Sequence, residues 1–323
     1  MIRWLLLRTG QALVTLVVAL VILFFLMRLV PGEPLAPMTG ERPQSQEEID
    51  RFRRRYCLDC PLPVQFANFV TRAVKGDLGT SIRFNGRPVT QVIRERLPAT
   101  LLLGGTVLVL NFTVGLLLGV WQAVRKGTRV DRVLSAVSLV CYAIPSFWLG
   151  YVLVWIFAIK LHWLPSASMS EPTLSNAPLL VRVGDLARHL VLPAVTLSVV
   201  SIAATMRYQR NAMIEVLRLD YIRTARAKGL PESAVIRRHA WRNALFPVLT
   251  LFGLWLPILV TGSVFVESVF SWSGLGSLAT DAIGFRDYPL LMGTAILVSS
   301  MIVFGGWLTD VGYMVLDPRV RRR

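Results

Sequence analysis

Long apolar runs separated by short polar segments constrain this chain more than any other feature. A membrane-spanning helix needs about 20 mostly apolar residues, and the chain has six stretches of that kind. The six are Thr9–Val30, Thr100–Val124, Val133–Ile159, His189–Met206, Leu245–Phe270 and Leu290–Leu316. The fourth is the weakest, because it is short and rich in serine and threonine. The chain is 54% hydrophobic and only 17% charged. The sequence therefore predicts an all-α integral membrane protein with six transmembrane helices.

The positive charge of the chain indicates how these spans are oriented. A formal net charge of +16 fits either a nucleic-acid partner or cations gathered on one side of a bilayer. The second explanation is better, because the cations cluster in alternate loops. One side would hold Arg3, Arg8, Arg125, Lys126, Arg129, Arg132, the segment Arg207–Arg242 and a basic tail at 318–323. We expect both termini in the cytoplasm and no nucleic-acid partner.

A basic insert, Asp220–Pro247, lies between the fourth and fifth spans and reads "DYIRTARAKGLPESAVIRRHAWRNALFP". Asp220 is suited to cap a helix that runs to Lys228, and Gly229 to the left-handed position that ends it. Pro231 is suited to the first turn of a second helix. The insert is therefore predicted to be a helix, a sharp turn and a helix. The alternative is a solvated basic loop held by anionic lipid headgroups.

Motifs in a fixed order along the chain resemble those of ABC-importer permeases of the dipeptide/oligopeptide/nickel family. They are "FLMRLVPGEP", "PLPVQF", "GDLGTSI", "RLPATLLL", "AIPSFWLG", "DYIRTARAKGL", "RHAWRNALFPVLT", "VFVESVFSWSGLG", "RDYPLLMG" and "LDPRVR". The resemblance covers nearly the whole chain and is closest to the first of two permeases in such a system. Two positions depart from the broader pattern. Arg223, Thr224 and Ala225 occupy the place of a Glu-Ala-Ala triplet, and Ser273 stands where a proline is usual.

The resemblance implies a type I ABC importer transmembrane fold. It divides the chain into an N-terminal transmembrane helix (1–30), an extracytoplasmic region (31–98), a transmembrane domain (96–317) and the tail 318–323. A cytoplasmic loop, 207–244, would couple the chain to an ATPase. The coupling residues implied are Asp220, Tyr221, Arg223, Thr224, Ala225, Arg226, Ala227, Lys228, Gly229 and Leu230. Of these, Tyr221, Ala225, Gly229 and Leu230 would be the small or apolar contacts in a groove on the ATPase.

The resemblance also implies partners, substrates and a location. The partners are a homologous second permease, two ATP-binding subunits, an extracytoplasmic substrate-binding protein and membrane lipid. The substrates are dipeptides or oligopeptides, with nickel, glutathione or oligosaccharides as alternatives. The location is the bacterial inner membrane. The segment 31–98 would dock the binding protein and cover the outer mouth, or would act only as a packing lid.

The chemistry that the chain lacks is also informative. No lysine is followed by serine or threonine, so the phosphate-binding G-x-x-x-x-G-K-[ST] loop is missing. We expect no ATP hydrolysis by this chain, no enzyme activity and no cofactor. A stand-alone secondary transporter would require intramembrane acidic residues and often inverted repeats, neither of which is clear here. A membrane-embedded enzyme would require a convergent catalytic set, which is also missing.

A few single residues are further candidates. Cys57 and Cys60 form C-x-x-C, which in an oxidising compartment is either a local disulfide or without function. Two cysteines alone do not complete a zinc site, so no metal is expected. Pro145 and Pro257 interrupt spans and can free carbonyls toward a translocation path. Glu267 is an ionisable residue at membrane depth, and is a helix cap, an inter-subunit ion pair or a substrate contact.

Overall fold

The computed structural model describes residues 2–29, 59–248, 251–253, 255 and 264–316. Over these residues the chain is mostly helical, and its one β pairing is an isolated bridge between Thr80 and Pro88. The all-α prediction is therefore confirmed for the part of the chain that is described. The remaining residues, including Cys57 and Pro257, lie outside it.

The helices have the following bounds in chain order. They are α1 Ile2–Leu29, α2 Leu62–Val74, α3 Val89–Leu110, α4 Leu116–Val124, α5 Arg129–Ala143, α6 Ser146–Leu153, α7 Leu179–Val216, α8 Asp220–Ala227, α9 Glu232–Ala234, α10 Trp241–Ala244, α11 Val264–Val269, α12 Leu275–Gly284 and α13 Tyr288–Leu316. Wider π-helical turns continue α3, α6 and α9, at Asn111–Gly115, Val154–Lys160 and Val235–Ala240.

Four helical stretches in the described residues are long and apolar enough to cross a membrane, or five if one bent pair counts as a span. The four are Leu5–Leu26, Val89–Val124, Leu179–Val216 and Tyr288–Gly312. The first and the last agree with the predicted first and sixth spans. The count of six is not confirmed, because the predicted span Leu245–Phe270 lies partly outside the described residues.

The third predicted span, Val133–Ile159, is not a straight helix. Helix α5 ends at Ala143, α6 begins at Ser146, and the two helical segments meet at an angle of 99°. Pro145 lies at the corner, and the preceding Ile144 has an extended backbone with φ −74° and ψ 126°. Because proline lacks an N–H and disfavours a helical residue before it, the predicted kink at Pro145 is confirmed.

The fourth predicted span is longer than the sequence indicates. The prediction gives His189–Met206, whereas α7 runs for 38 residues from Leu179 to Val216. Hydropathy alone places the end of the span before Arg207, because Arg207, Gln209 and Arg210 lower the mean hydropathy there. The helix continues because Met213 and Val216 in its last turns are buried in an apolar cluster and Arg210 forms an ion pair with another helix. The predicted bounds were wrong, since tertiary contacts stabilise polar residues that hydropathy counts against a span.

The second span also begins earlier than predicted, at Val89 rather than Thr100. Charged residues in the first turns of α3 lower its hydropathy, and Pro98 lies inside the helix. The helix nevertheless forms there because Val89, Val92 and Ile93 pack into a buried apolar cluster. The other buried members of that cluster are Leu275, Leu278, Ala282 and Leu290. The last ten residues of the predicted extracytoplasmic region therefore belong to a long helix.

Helix α4 and the turn before it pack closely against α7. A Cβ at Gly119 would lie 2.7 Å from both Gln209 Cβ and Met206 O, and one at Gly115 would lie 3.0 Å from Thr205 Cβ. These two glycines are four residues apart and face α7, which is the small-xxx-small arrangement that lets membrane helices approach closely. Helix α7 is thereby held firmly against α4 along its second half.

Two family motifs that are distant in the sequence meet at Asp287. Asp287 is completely buried and accepts hydrogen bonds from Ser81 Oγ, Arg83 N at 3.0 Å and Leu290 N at 3.1 Å. The carboxylate thus joins the turn after "GDLGTSI" to the start of α13. This contact fixes the short hairpin around the Thr80–Pro88 bridge at the end of the molecule opposite the basic insert.

Candidate coupling surface and path residues

Helix α8 and the turn that ends it form the predicted helical part of the basic insert. Asp220 is the first residue of α8 rather than its cap, since Leu219 occupies the capping position and makes no side-chain hydrogen bond. Gly229 has φ +78°, and its N–H donates to Arg226 O at 2.9 Å. Since residues with a Cβ rarely adopt this φ, the predicted role of Gly229 in ending the helix is confirmed.

The second half of the insert starts immediately after Pro231. Pro231 lies just before α9 rather than in its first turn, and its carbonyl accepts from Ala234 N at 2.8 Å. The chain continues through the π-helical turn into α10. The helix–turn–helix prediction is therefore confirmed. The alternative of a solvated basic loop held by anionic lipid headgroups concerns contacts outside the chain and stays a prediction.

Two side-chain contacts hold the halves of the insert together. Arg226 donates twice to the Glu232 carboxylate, from Nε at 3.0 Å and from Nη2 at 2.6 Å. The same guanidinium lowers the pKa of Glu232 below its ordinary value. Tyr221 Oη accepts from Asn243 Nδ2 at 2.7 Å, and that amide also donates to His239 O at 3.1 Å. The turn is therefore fixed as a unit.

The inner face of α8 packs against its own chain. Ile222 and Ala225 are buried in an apolar cluster with Met213, Val216 and Val235. Ala225 is therefore covered by its own chain in this conformation, and its contact with a partner stays a prediction. Positions 222 and 225 are three residues apart, which places both on one side of the helix, and that side is the one that holds α8 to the end of α7.

The outer face of α8 and the turn is open. Tyr221 and Leu230 are each 40% exposed, which is high for residues of their size in an ordered segment. The other exposed members of the predicted set are Asp220, Arg223, Thr224, Arg226, Ala227, Lys228 and Gly229. Arg223 approaches Asp220 only loosely, at 3.5 Å. The surface thus combines two apolar side chains with a mainly positive rim.

An ion pair between α5 and the end of α7, close to the insert, was not predicted from the sequence. Arg210, near the end of α7, donates to both carboxylate oxygens of Asp131 on α5, at 2.7 Å and 2.9 Å. Gly127 N also donates to Asp131 Oδ2 at 2.9 Å, and Gln122 Nε2 donates to Asp131 O at 3.1 Å. Thr128 caps α5 by accepting from Asp131 N. The Thr-x-x-Asp spacing was the sequence signal for this cap.

Glu267 has its partners within the chain. The side chain is completely buried and accepts from Ser277 N at 2.9 Å and from Thr100 Oγ1 at 3.2 Å. Ser277 lies in the first turn of α12, so the carboxylate caps that helix. Thr100 Oγ1 in turn accepts from Leu275 N at 2.7 Å. This geometry favours the cap among the three alternatives for Glu267.

The structure describes the other predicted positions only in part. Pro145 is exposed at the α5–α6 corner, and Pro257 lies outside the described residues. Cys60 takes part in a disulfide and Cys141 is a free thiol, but Cys57 is not described, so the pairing of Cys57 with Cys60 stays a prediction. Within the described ranges, no three His, Cys, Asp or Glu side chains are grouped to hold a metal ion.

Two protein-family models together match nearly the whole chain. Residues 115–322 match the model described as "Binding-protein-dependent transport system inner membrane component". Residues 1–104 match the model of the N-terminal part of such membrane components. The boundary between the two matches lies within the helical stretch Val89–Val124.

Several curated relatives are similar over their full lengths. An oligopeptide transport system permease protein of Bacillus subtilis is 37% identical over 97% of both chains. The di/tripeptide transport system permease protein of Pseudomonas aeruginosa is 36% identical over 98% of both chains. The dipeptide transport system permease protein of Escherichia coli is 34% identical over 100% of both chains.

A solved structure has the same fold. A chain of the inward-facing MetNI methionine ABC transporter matches with a TM-score of 0.56 and 17% sequence identity, covering 70% of this chain and 97% of that one. The chain therefore has the transmembrane fold of a type I ABC importer, as its motifs predict. At this identity the likeness concerns the fold alone.

Proposed function

This chain belongs to the family of binding-protein-dependent transport system inner membrane components, and we propose that it is the permease subunit of an ATP-driven peptide importer. The observation that carries the proposal is full-length similarity to three peptide-system permeases together with an exposed, internally fixed insert. It is a multi-pass membrane protein of the inner membrane. We place both termini and the insert in the cytoplasm, because the arginines and lysines gather in those segments.

The insert is the coupling element of this proposal. Ile222 and Ala225 attach it to the chain's own core, which leaves Tyr221, Lys228 and Leu230 exposed. A short helix with this division can lie in a groove on an ATP-binding subunit. When two such subunits close on ATP, movement of the insert passes to α7, because α8 follows α7 after a three-residue turn. A rigid-body shift of the spans results.

The remaining subunits of the proposed importer are not part of this chain. They are a homologous second permease, two ATP-binding subunits and an extracytoplasmic binding protein, with membrane lipid around them. ATP hydrolysis belongs to the ATP-binding subunits, because this chain has no phosphate-binding loop. The translocation path would run between the two permeases. Pro145 and Pro257 are proposed to shape it, whereas Glu267 has the geometry of a cap.

Peptides are the proposed substrates because each of the three relatives above is named as a permease of a peptide transport system. Nickel, glutathione or oligosaccharides are the alternative substrates for an importer of the same architecture. A stand-alone secondary transporter is the alternative from another class, and a requirement for ATP separates it from an importer. The region 31–98 would dock the binding protein, with a lid that contacts no partner as its alternative.

The test is a substitution in the turn that faces outward. Gly229→Arg places a side chain at φ +78°, where strain and bulk both disturb the turn. We expect the reconstituted complex of two permeases and two ATP-binding subunits, with the binding protein added, to lose peptide-stimulated ATPase activity and peptide uptake. Gly127→Arg is the control, because Gly127 has a similar φ of +82° and open space around it but lies in the loop between α4 and α5. Normal coupled activity in Gly229→Arg at wild-type membrane levels would disprove the coupling role.

A further inference from the structure

A cavity of about 460 Å³ lies beside the first three turns of α7. Its volume falls in the range of small-molecule sites. Ile159 and Leu164 contribute an apolar wall, whereas His162, Glu171, Asp185, Arg188 and His189 contribute polar groups. Helix α7 has 38 residues and is therefore about 57 Å long. The cavity and the basic insert thus lie at opposite ends of the same helix, so the cavity faces the outer compartment in the proposed orientation.

Asp185 and His189 form a buried pair in the wall of this cavity. Their side chains are only 9% and 7% exposed. His189 Nδ1 lies 2.9 Å from Asp185 O and 3.3 Å from Asp185 Oδ1. Two oxygens beside Nδ1 assign the proton to that nitrogen, which leaves Nε2 as a hydrogen-bond acceptor. Within the described residues, Nε2 has no partner, although the ring is more than nine-tenths buried.

The polar groups of the cavity favour a ligand that donates hydrogen bonds and carries positive charge. Asp185 Oδ2 accepts from Glu171 N at 2.8 Å, and each carboxylate oxygen has a second lone pair for a ligand. The carboxylates of Glu171 and Asp185 outnumber the one guanidinium, that of Arg188. That guanidinium donates once, to Trp163 O at 3.2 Å, and keeps other N–H groups for an anionic end.

We propose that this cavity binds a short peptide by its free α-amino group, held by Asp185, Glu171 and His189. Arg188 is available for the carboxylate of the same peptide. The inference deepens the proposed function, on which it rests, because it gives the permease its own recognition of the amino terminus. A metal ion is a poorer occupant, since these residues are not grouped as a set of metal ligands in the structure.

The experiment measures binding of radiolabelled dialanine to the assembled complex without its binding protein, by equilibrium dialysis. We expect N-acetyl-dialanine, which lacks the charged amino group, to bind at least about tenfold more weakly, because a charge-assisted hydrogen bond is lost. Asp185→Asn should weaken dialanine binding by a similar factor. Asp281→Asn is the matched control, since Asp281 lies outside the cavity on α12. Equal binding of the acetylated peptide, or full binding by Asp185→Asn, would overturn the proposal.

A second variant and a second assay keep the outcome interpretable. Glu171 has an exposed side chain, so Glu171→Gln tests the site if Asp185→Asn does not fold. Uptake with the binding protein present is measured on the same preparations. Dialanine binding that depends on Asp185 without any ATP-driven uptake would support the cavity and refute the importer. Uptake without Asp185-dependent binding would support the importer and refute the cavity.

Discussion

Asp131 and Arg210 lie 79 residues apart in the sequence, and their side chains are joined by two hydrogen bonds of 2.7 Å and 2.9 Å. The carboxylate is nearly buried and the guanidinium partly so. The pair connects α5 to the last two turns of α7, directly before the basic insert. It therefore determines where the insert stands relative to the rest of the bundle.

Removing one partner of this pair should destabilise the chain. Asp131→Ala leaves Arg210 without its acceptor in a partly buried position, at a cost of about 1–3 kcal/mol. We expect a lower midpoint of thermal unfolding in detergent and weaker coupled ATPase activity. The double variant Asp131→Ala/Arg210→Ala should recover part of the loss. Asp220→Ala, at a carboxylate that is 95% exposed, is the control and should change stability little.

Glu267 provides a test that separates a cap from a path residue. Ser277 N and Thr100 Oγ1 donate to different oxygens of Glu267. Glu267→Gln keeps one oxygen to accept from Ser277 N, and its amide can donate to Thr100 Oγ1, whereas Glu267→Ala leaves Ser277 N unpaired and costs about 1–3 kcal/mol. We expect Glu267→Gln to fold and transport, and Glu267→Ala to accumulate poorly in the membrane. If Glu267→Gln assembled normally but lost uptake, Glu267 would act on the substrate instead. Quantitative immunoblotting and uptake in the same vesicles give both readouts.

The Arg226–Glu232 contact predicts a pH dependence of the turn. Arg226 holds the pKa of Glu232 below its ordinary value of 4.5. The contact therefore stabilises the folded turn fully at a pH above the pKa of Glu232 in the unfolded chain. This stabilisation is lost as the pH falls through the lower pKa of Glu232 in the folded chain. Hydrogen exchange of residues 226–232 should be slower in the wild type than in Glu232→Gln at neutral pH. The difference should vanish at low pH, where Glu232 is protonated. A difference that persists there would contradict the assignment.

Asp287 should control the order of the hairpin at the end opposite the insert. Asp287→Ala removes the acceptor for Ser81 Oγ, Arg83 N and Leu290 N. We expect residues 77–88 to become sensitive to an added protease in right-side-out vesicles. Asp281→Ala is the control, because it removes a carboxylate from α12 without changing the hydrogen bonds that hold the hairpin. Unchanged protection in Asp287→Ala would show that the buried carboxylate does not hold the hairpin.

The close contact at Gly119 predicts a steric effect. A Cβ there would lie 2.7 Å from Gln209 Cβ and Met206 O, so Gly119→Ala should cost about 1–3 kcal/mol by overpacking. Gly105→Ala is the matched control, since nothing lies within 4 Å of a Cβ at that helical position. The two variants are compared by thermal unfolding of the purified chain. Equal unfolding midpoints would mean that α4 and α7 accommodate the added methyl group without a loss of stability.

Much of the structure of the basic insert was predictable because its signals are local. Gly229 ends α8 for a reason that depends only on its own backbone conformation, and Pro145 bends the third span because its ring removes an N–H. The family motifs identified the insert from consecutive residues. The side of α8 that faces inward was not predictable from the sequence. Ala225 is buried by Met213 on α7 and by Val235 in the π-helical turn, and both residues lie outside α8.

By itself, the sequence determined that this chain is a helical membrane protein, where the insert lies and how its turn is built. These follow from runs of apolar residues and from single-residue backbone preferences. Only the tertiary structure decided the length of α7, the cap formed by Glu267 and the cavity around Asp185 and His189. The physical reason is that a polar side chain lowers local hydropathy whether or not it has a partner. The partner, such as Asp131 for Arg210, comes from another helix, and only the folded chain brings the two together.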